Sequence, residues 1–158
     1  MYAACPSDFT PFPWMEWAFL ALGHGVRQGR DRPFIHDFLR YAGTSDDKDH
    51  PWCSAFVNYC MEQAGIRGTR NAYARSWVNW GAGRLLTVPK FGCVVVFWQN
   101  DPDPAKDKHG HVGFYTGIHR DRPLVLGGNQ HHAISVGTPY PKNHILGYRW
   151  PLQLPSHP

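Results

Sequence analysis

Cys53, His111 and Asn129 are three residue types that together perform acyl transfer, and each stands where secondary structure can present it. Cys53 follows Pro51-Trp52 and opens the run Ser54 to Gly65. In that run Phe56, Val57, Cys60, Met61 and Ala64 recur at helical spacing, and Gly65 supplies a stop. A thiol in the first turn of such a helix faces unpaired amides and the positive end of the helix dipole, and both favour thiolate. Cysteines so placed can fall from a pKa of about 8.5 to roughly 3.5–7.5. A thiolate nucleophile needs a proton acceptor, and the acceptor needs a third group to hold its ring. His111 begins an alternating run just after Gly110, so it reads as a base at the start of a strand. Asn129 lies 18 residues on, at the end of the next strand after Gly127-Gly128. In antiparallel neighbours the start of one strand lies beside the end of the next. The Asn129 oxygen can then accept from the imidazole and set its tautomer.

Other chemistry finds less support. His109-Gly110-His111 and His131-His132 come without a paired carboxylate or helical histidine spacing, so no metal and no cofactor is expected. The 16 Lys+Arg against 12 Asp+Glu give a net charge of +4, and the basic residues are scattered. Without a Lys/Arg run, a nucleic-acid partner is not expected. A mildly basic surface suits an anionic polymer such as a bacterial wall. Cys53 and Cys60 sit two turns apart on one helix, roughly 10 Å, and cannot bridge. Cys60 and Cys93 lie in apolar patterns that read as core, and Cys5 falls in a loose N-terminal segment.

The elements that must position these residues follow in order. Residues 1–13 read as an irregular arm. Trp14, Trp17, Ala18, Ala21 and Leu22 mark a short helix closed by Gly23 or Gly25, and Pro33 opens a second helix that Gly43 ends. The helix of Cys53 comes third, and residues 72–80 read as a fourth. Beyond Gly83 the period changes. Residues 93–98 are a buried strand, followed by strands over 111–116, 123–126, 133–136 and 145–150. Helices first and an antiparallel β-meander after is an α+β layout in one domain, 14–151, with a tail at 152–158. The 158 residues and 15% aromatics suffice for one packed core. The apolar run 14–22 contains Glu16 and is too short to span a membrane, and no export signal of the ordinary kind is visible.

Six segments carry a resemblance. They are Pro51-Trp52-Cys53-Ser54-Ala55-Phe56-Val57, Ala74-Arg75-Ser76-Trp77, Gly92-Cys93-Val94-Val95-Val96, Gly110-His111-Val112-Gly113-Phe114-Tyr115, Gly127-Gly128-Asn129-Gln130 and Gly147-Tyr148-Arg149-Trp150-Pro151. In this order they resemble the CHAP (cysteine- and histidine-dependent amidohydrolase/peptidase) and NlpC-type cell-wall hydrolases, and more closely a subfamily of small bacterial and phage CHAP-like proteins. The resemblance implies a papain-like α+β fold, with Cys53 as nucleophile, His111 as base and Asn129 as orienting group. It implies peptidoglycan as substrate, cut at an amide or peptide bond of the stem. An upstream tyrosine serves the oxyanion in NlpC-type enzymes, which points to Tyr41. Trp52, Trp77 and Trp80 are candidate walls of the groove. Relatives often carry Glu after the first helix, where this chain has Gln28. The expected setting is manufacture in the cytoplasm and action in the periplasm or wall, after phage lysis or type VI secretion, with a periplasmic immunity protein as a further partner. The same residues would serve a cysteine protease or a transglutaminase-like enzyme, and the same fold a non-catalytic wall-binding module.

Overall fold

The structure, a computed structural model, describes residues 12–25, 32–43 and 52–152. The expectations placed on Cys5, Gln28, Pro51 and most of the arm and tail fall outside the described residues. Helix α1 is Pro13–Leu20, α2 is Arg32–Tyr41 and α3 is Cys53–Gln63. A short 3-10 helix, Ala74–Asn79, comes next. Six strands follow: β1 Gly83–Leu86, β2 Val94–Trp98, β3 Gly110–His119, β4 Arg122–Gln130, β5 Ala133–Gly137 and β6 Ile145–Pro151. Among the described residues no helix is long and apolar enough to cross a membrane.

The strands form one antiparallel sheet in the order β1-β6-β2-β3-β4-β5. Only β2 to β5 meander. The chain then returns across the sheet so that β6 pairs with β2, and β1 closes the far edge on β6. The reading of 72–80 as an ordinary helix is corrected to a tighter one of six residues, and β1 is a strand the periodicity did not reveal. Four residues with two exposed side chains are too short to show an alternation.

Helix α3 is the centre of the packing. Of its eleven residues, Cys53 to Asn58, Cys60 and Met61 are all buried. The continuous run 94–97 is buried on both faces of the sheet. Val94 and Val96 join the helix-side core with Phe56, Val57 and Met61, whereas Val95 and Phe97 join a smaller cluster on the other face with Val125, Tyr140, Ile145 and Tyr148. This period of two matters for the site. His111 pairs directly with Phe97, so it shares the face away from the helices, and Val112 pairs with Val96 on the helix side.

Candidate active site

Cys53 occupies the first position of α3 after Trp52, so the amides of the first turn have no partner within the helix. The thiol is 2% exposed. Its surroundings reverse the expectation of a ready thiolate: burial pushes the pKa up, and the amides of Val112, Ser54 and Cys53 itself pull it back without overcoming the loss of water. The resting group is therefore a protonated thiol, with backbone amides near enough to oppose part of the loss of water. One of these amides belongs to Val112, the residue after His111, which sets the thiol beside the start of β3.

The ring of His111 is buried, and its Nε2 lies 2.9 Å from Oε1 of Gln130. The direction of that bond follows from the rest of the amide. Nε2 of Gln130 donates to the carbonyls of Val125 at 3.1 Å and Ser135 at 2.9 Å. The amide oxygen can only accept, so His111 carries its proton on Nε2 and presents an unprotonated Nδ1. Burial lowers the pKa of His111 to about 4, against a smaller upward pull from Gln130, so the ring is neutral across the physiological range. No hydrogen bond joins the thiol to the ring in this structure.

The structure thus places Gln130, not Asn129, on the ring. Continuing the Phe114–Leu126 pairing would set Asn129 across from His111, as the sequence reading assumed. However, β4 has a bulge between Gly127 and Gln130, and Asn129 adopts a φ of 55°. One residue in the left-handed region rotates the following side chain onto the inner face. Asn129 lines the same cavity but makes no hydrogen bond to the ring. The two glycines before it serve packing. A Cβ at Gly127 would stand 2.5 Å from Oε1 of Gln130 and 3.1 Å from Nε2 of His111. One at Gly128 would meet Phe56 at 2.8 Å and Trp52 at 2.9 Å. The first position keeps the His–Gln bond open, and the second lets β4 lie on α3.

Beside His111 a cavity of about 460 Å³ opens, lined by Asn129, Gln130, His131, Ser135 and the segment Val136 to Tyr140. Tyr140 was not singled out in the sequence. It lies between prolines 139 and 141, in no periodic run, and only folding brings it in. Its ring is 5.9 Å from that of His111 and stacks on Phe97 at 5.5 Å. Burial raises its phenol pKa, with a further push from a charge on Cys53, so the tyrosine borders both groups.

The other candidates lie elsewhere. Tyr41 is at the opposite end of α3, where its hydroxyl accepts from Nε2 of Gln63 at 2.7 Å. Ten helical residues put that about 15 Å from Cys53, beyond reach of an oxyanion there. Trp52, Trp77 and Trp80 are buried in the core at 3%, 0% and 2% exposure, and none of them lines the cavity beside His111. Trp77 instead donates to Oγ of Ser54 at 2.9 Å, and Trp80 to the carbonyl of Arg67. Among the described residues, no three His, Cys, Asp or Glu gather so as to hold a metal.

A helix-borne thiol packed against an antiparallel sheet that carries a buried, amide-held histidine is the arrangement of a papain-like α+β hydrolase domain. Comparison with known families matches residues 45–129, more than half of the chain, to the CHAP domain. The chain belongs to the CHAP family, whose domains are characteristically cell-wall amidases and peptidases, and peptidoglycan is the substrate class this membership carries. A search of curated proteins found no match.

Proposed function

We propose that this chain hydrolyses an amide or peptide bond in the peptidoglycan stem by thiol acyl transfer, with Cys53 as nucleophile, His111 as base and Gln130 as the group that holds the base. The observation that carries the reading is the fixed tautomer. The Gln130 amide is committed to two backbone carbonyls through its nitrogen, so Nδ1 of His111 keeps its lone pair for a proton.

The pair starts neutral. As Cys53 attacks the carbonyl carbon, its proton passes to Nδ1 of His111 and a C–S bond forms. The oxyanion takes hydrogen bonds from first-turn amides of α3, which have no partner within the helix. The imidazolium returns its proton to the leaving nitrogen as the C–N bond breaks. Water then gives its proton to His111 and attacks the thioester, which releases the acid and restores the thiol.

Mature wall lies outside the cytoplasm, so the enzyme acts in the periplasm or wall, reached through phage lysis or a contact-dependent secretion system such as type VI. A producer that injects it would protect its own wall, most simply with a periplasmic immunity protein that fills the cavity beside His111. The test is digestion of purified sacculi with mass identification of the products. A new amine or stem terminus, absent with Cys53→Ala, supports the proposal and separates amidase from endopeptidase. Intact sacculi alongside cleavage of a denatured protein would replace it with protein proteolysis. Expression with and without a fused signal peptide tests the setting: lysis is expected only for the exported form.

A further inference from the structure

The 3-10 helix Ala74–Asn79 reaches the chain beside each member of the reacting pair: the residue after Cys53 and the residues before His111. On one side Nε1 of Trp77 donates to Oγ of Ser54, the residue after Cys53, and that hydroxyl in turn donates to the carbonyl of Asn71 at 2.7 Å. On the other side Arg75 spends its guanidinium on three carbonyls of the loop before β3. Nε donates to His109 at 2.9 Å, Nη1 to Pro102 at 3.1 Å and Nη2 to Asp101. Among the described residues Arg75 has no carboxylate partner. Its stem also covers Gly110, where an added Cβ would stand 3.4 Å from Arg75 Cγ and 2.2 Å from the carbonyl of Phe97. Both residues before His111 are therefore gripped by one side chain. At about 120° per residue in a 3-10 turn, residues 75 and 77 leave the axis in different directions. One short helix can thus reach two neighbours.

The loop 99–109 is stiff in itself. Asp101 and Asp103 each accept a backbone amide two residues on, and Asp107 accepts from the amides of Asn100 and His109 and from the His109 ring. A loop closed in this way moves as a unit, and Arg75 ties the unit to the body with three hydrogen bonds, beside the looser contact of Lys108 Nζ 5.1 Å from the Tyr73 ring centroid.

We propose that the helix Ala74–Asn79 is a brace that sets the base against the nucleophile, and that Arg75 is the positioning residue for His111. The inference rests on the reading of Cys53 and His111 as the reacting pair. Its grip is on backbone, so it holds the place of the ring rather than its tautomer, which is the task of Gln130. It also accounts for Ala74-Arg75-Ser76-Trp77, a motif the reaction itself leaves unused.

The test is Arg75→Met, which keeps the stem over Gly110 and removes all three hydrogen bonds, with Arg75→Lys as the partial restoration. The His111 ring is titrated by NMR, and kcat and KM are measured on sacculi. Around the ring the groups that titrate are Cys53, Tyr140 and His131, with Asp107 paired to His109 beyond them, and the substitution changes none of these. In Arg75→Met the His111 pKa should climb from about 4 toward 6.5 as water reaches the loosened ring. The value of kcat should fall about tenfold or more with KM within about twofold, since misplacement of a reacting group acts on the chemical step. Arg75→Lys should recover part of both. A folded Arg75→Met with the His111 titration and kcat of the wild type overturns the proposal. So does a kcat that falls only with the folded fraction while the titration stays put. Should Arg75→Met not fold, Arg75→Lys alone must show the titration moved in the same direction, and wild-type behaviour there overturns the brace. Wild-type protein that leaves sacculi intact would defeat the peptidoglycan reading, yet the titration would still report on the brace.

Discussion

The two ends of α3 carry the same kinds of groups in different surroundings. At the first turn Cys53 is buried, the amides of Val112, Ser54 and Cys53 itself pull its pKa back down, and it lies beside the strand that bears His111. Two turns on, Cys60 is equally buried, but only the loss of water acts on it, and its pKa rises well above the ordinary value. At the last turn Gln63 and Tyr41 pair at the surface, and Glu62 meets Arg70 at 2.9 Å across an exposed bridge. Helix α3 thus holds one thiol whose burial is opposed by nearby amides and one whose burial is not, and at its last turn it meets Tyr41 of α2. Residue type is the same in the first two cases. What separates them is the helix terminus and the neighbouring strand.

The sharpest way to break this comparison is to exchange the thiols. Cys53→Ala should leave less than about one per cent of activity with the fold intact, since loss of a covalent nucleophile typically costs several orders of magnitude. Cys60→Ala should keep full kcat and lose about 1 kcal/mol of stability, as a small cavity in a core does. Sacculus hydrolysis and thermal unfolding of both variants decide. An active Cys53→Ala protein would remove the nucleophile assignment.

A smaller effect separates the residues after Gly128. Gln130→Ala strands a buried ring N–H and two carbonyls, so kcat should drop by one to two orders of magnitude and stability by about 1–3 kcal/mol. Asn129→Gly should leave kcat within about twofold, since the backbone there favours a left-handed residue. Steady-state kinetics on both variants measure the contrast. A larger loss for Asn129→Gly would return the orienting role to Asn129.

The third prediction uses pH. The folded pKa of His111 lies at about 4 against 6.5 for a free ring. Between those values the unfolded chain binds a proton that the folded one does not, so stability falls as pH drops from about 6.5 to 4, by about 3 kcal/mol in all. His111→Gln should flatten that slope in denaturant titrations. In the same window the base stays unprotonated, so kcat/KM should hold to about pH 5. An acid limb centred near 6.5 would mean that the ring is not buried in solution.

The smallest effect belongs to the far end of the helix. Tyr41→Phe removes one exposed hydrogen bond, so kcat should stay within about twofold and stability should change by about 0.5 kcal/mol. A tenfold fall in kcat would bring Tyr41 back to the oxyanion.

The features legible in the order of residues are local and periodic. The helical spacing after Trp52 placed Cys53 at a helix start, and the structure begins α3 at that residue. The β-branched run at 93–98 and the alternation after Gly110 marked β2 and β3. The order of helices and strands set the α+β class, and the six short segments pointed to the family. These features are carried by hydrogen bonding and burial within a few residues of chain, so the order of residues records them.

The tertiary structure decided the rest. A bulge with one left-handed residue turned Gln130 rather than Asn129 onto the ring, a choice of face that no side-chain pattern records. Burial left Cys53 a thiol, because the loss of water imposed by distant parts of the chain outweighs the amides that favour thiolate. Trp52, Trp77 and Trp80 went into the core and Tyr41 to the far end of α3. Tyr140 arrived beside His111 from a loop with no periodicity to read. The physical reason is common to all of these. Which face a side chain takes, and how much water it keeps, depends on segments far away in sequence, and those are fixed only when the sheet closes on α3.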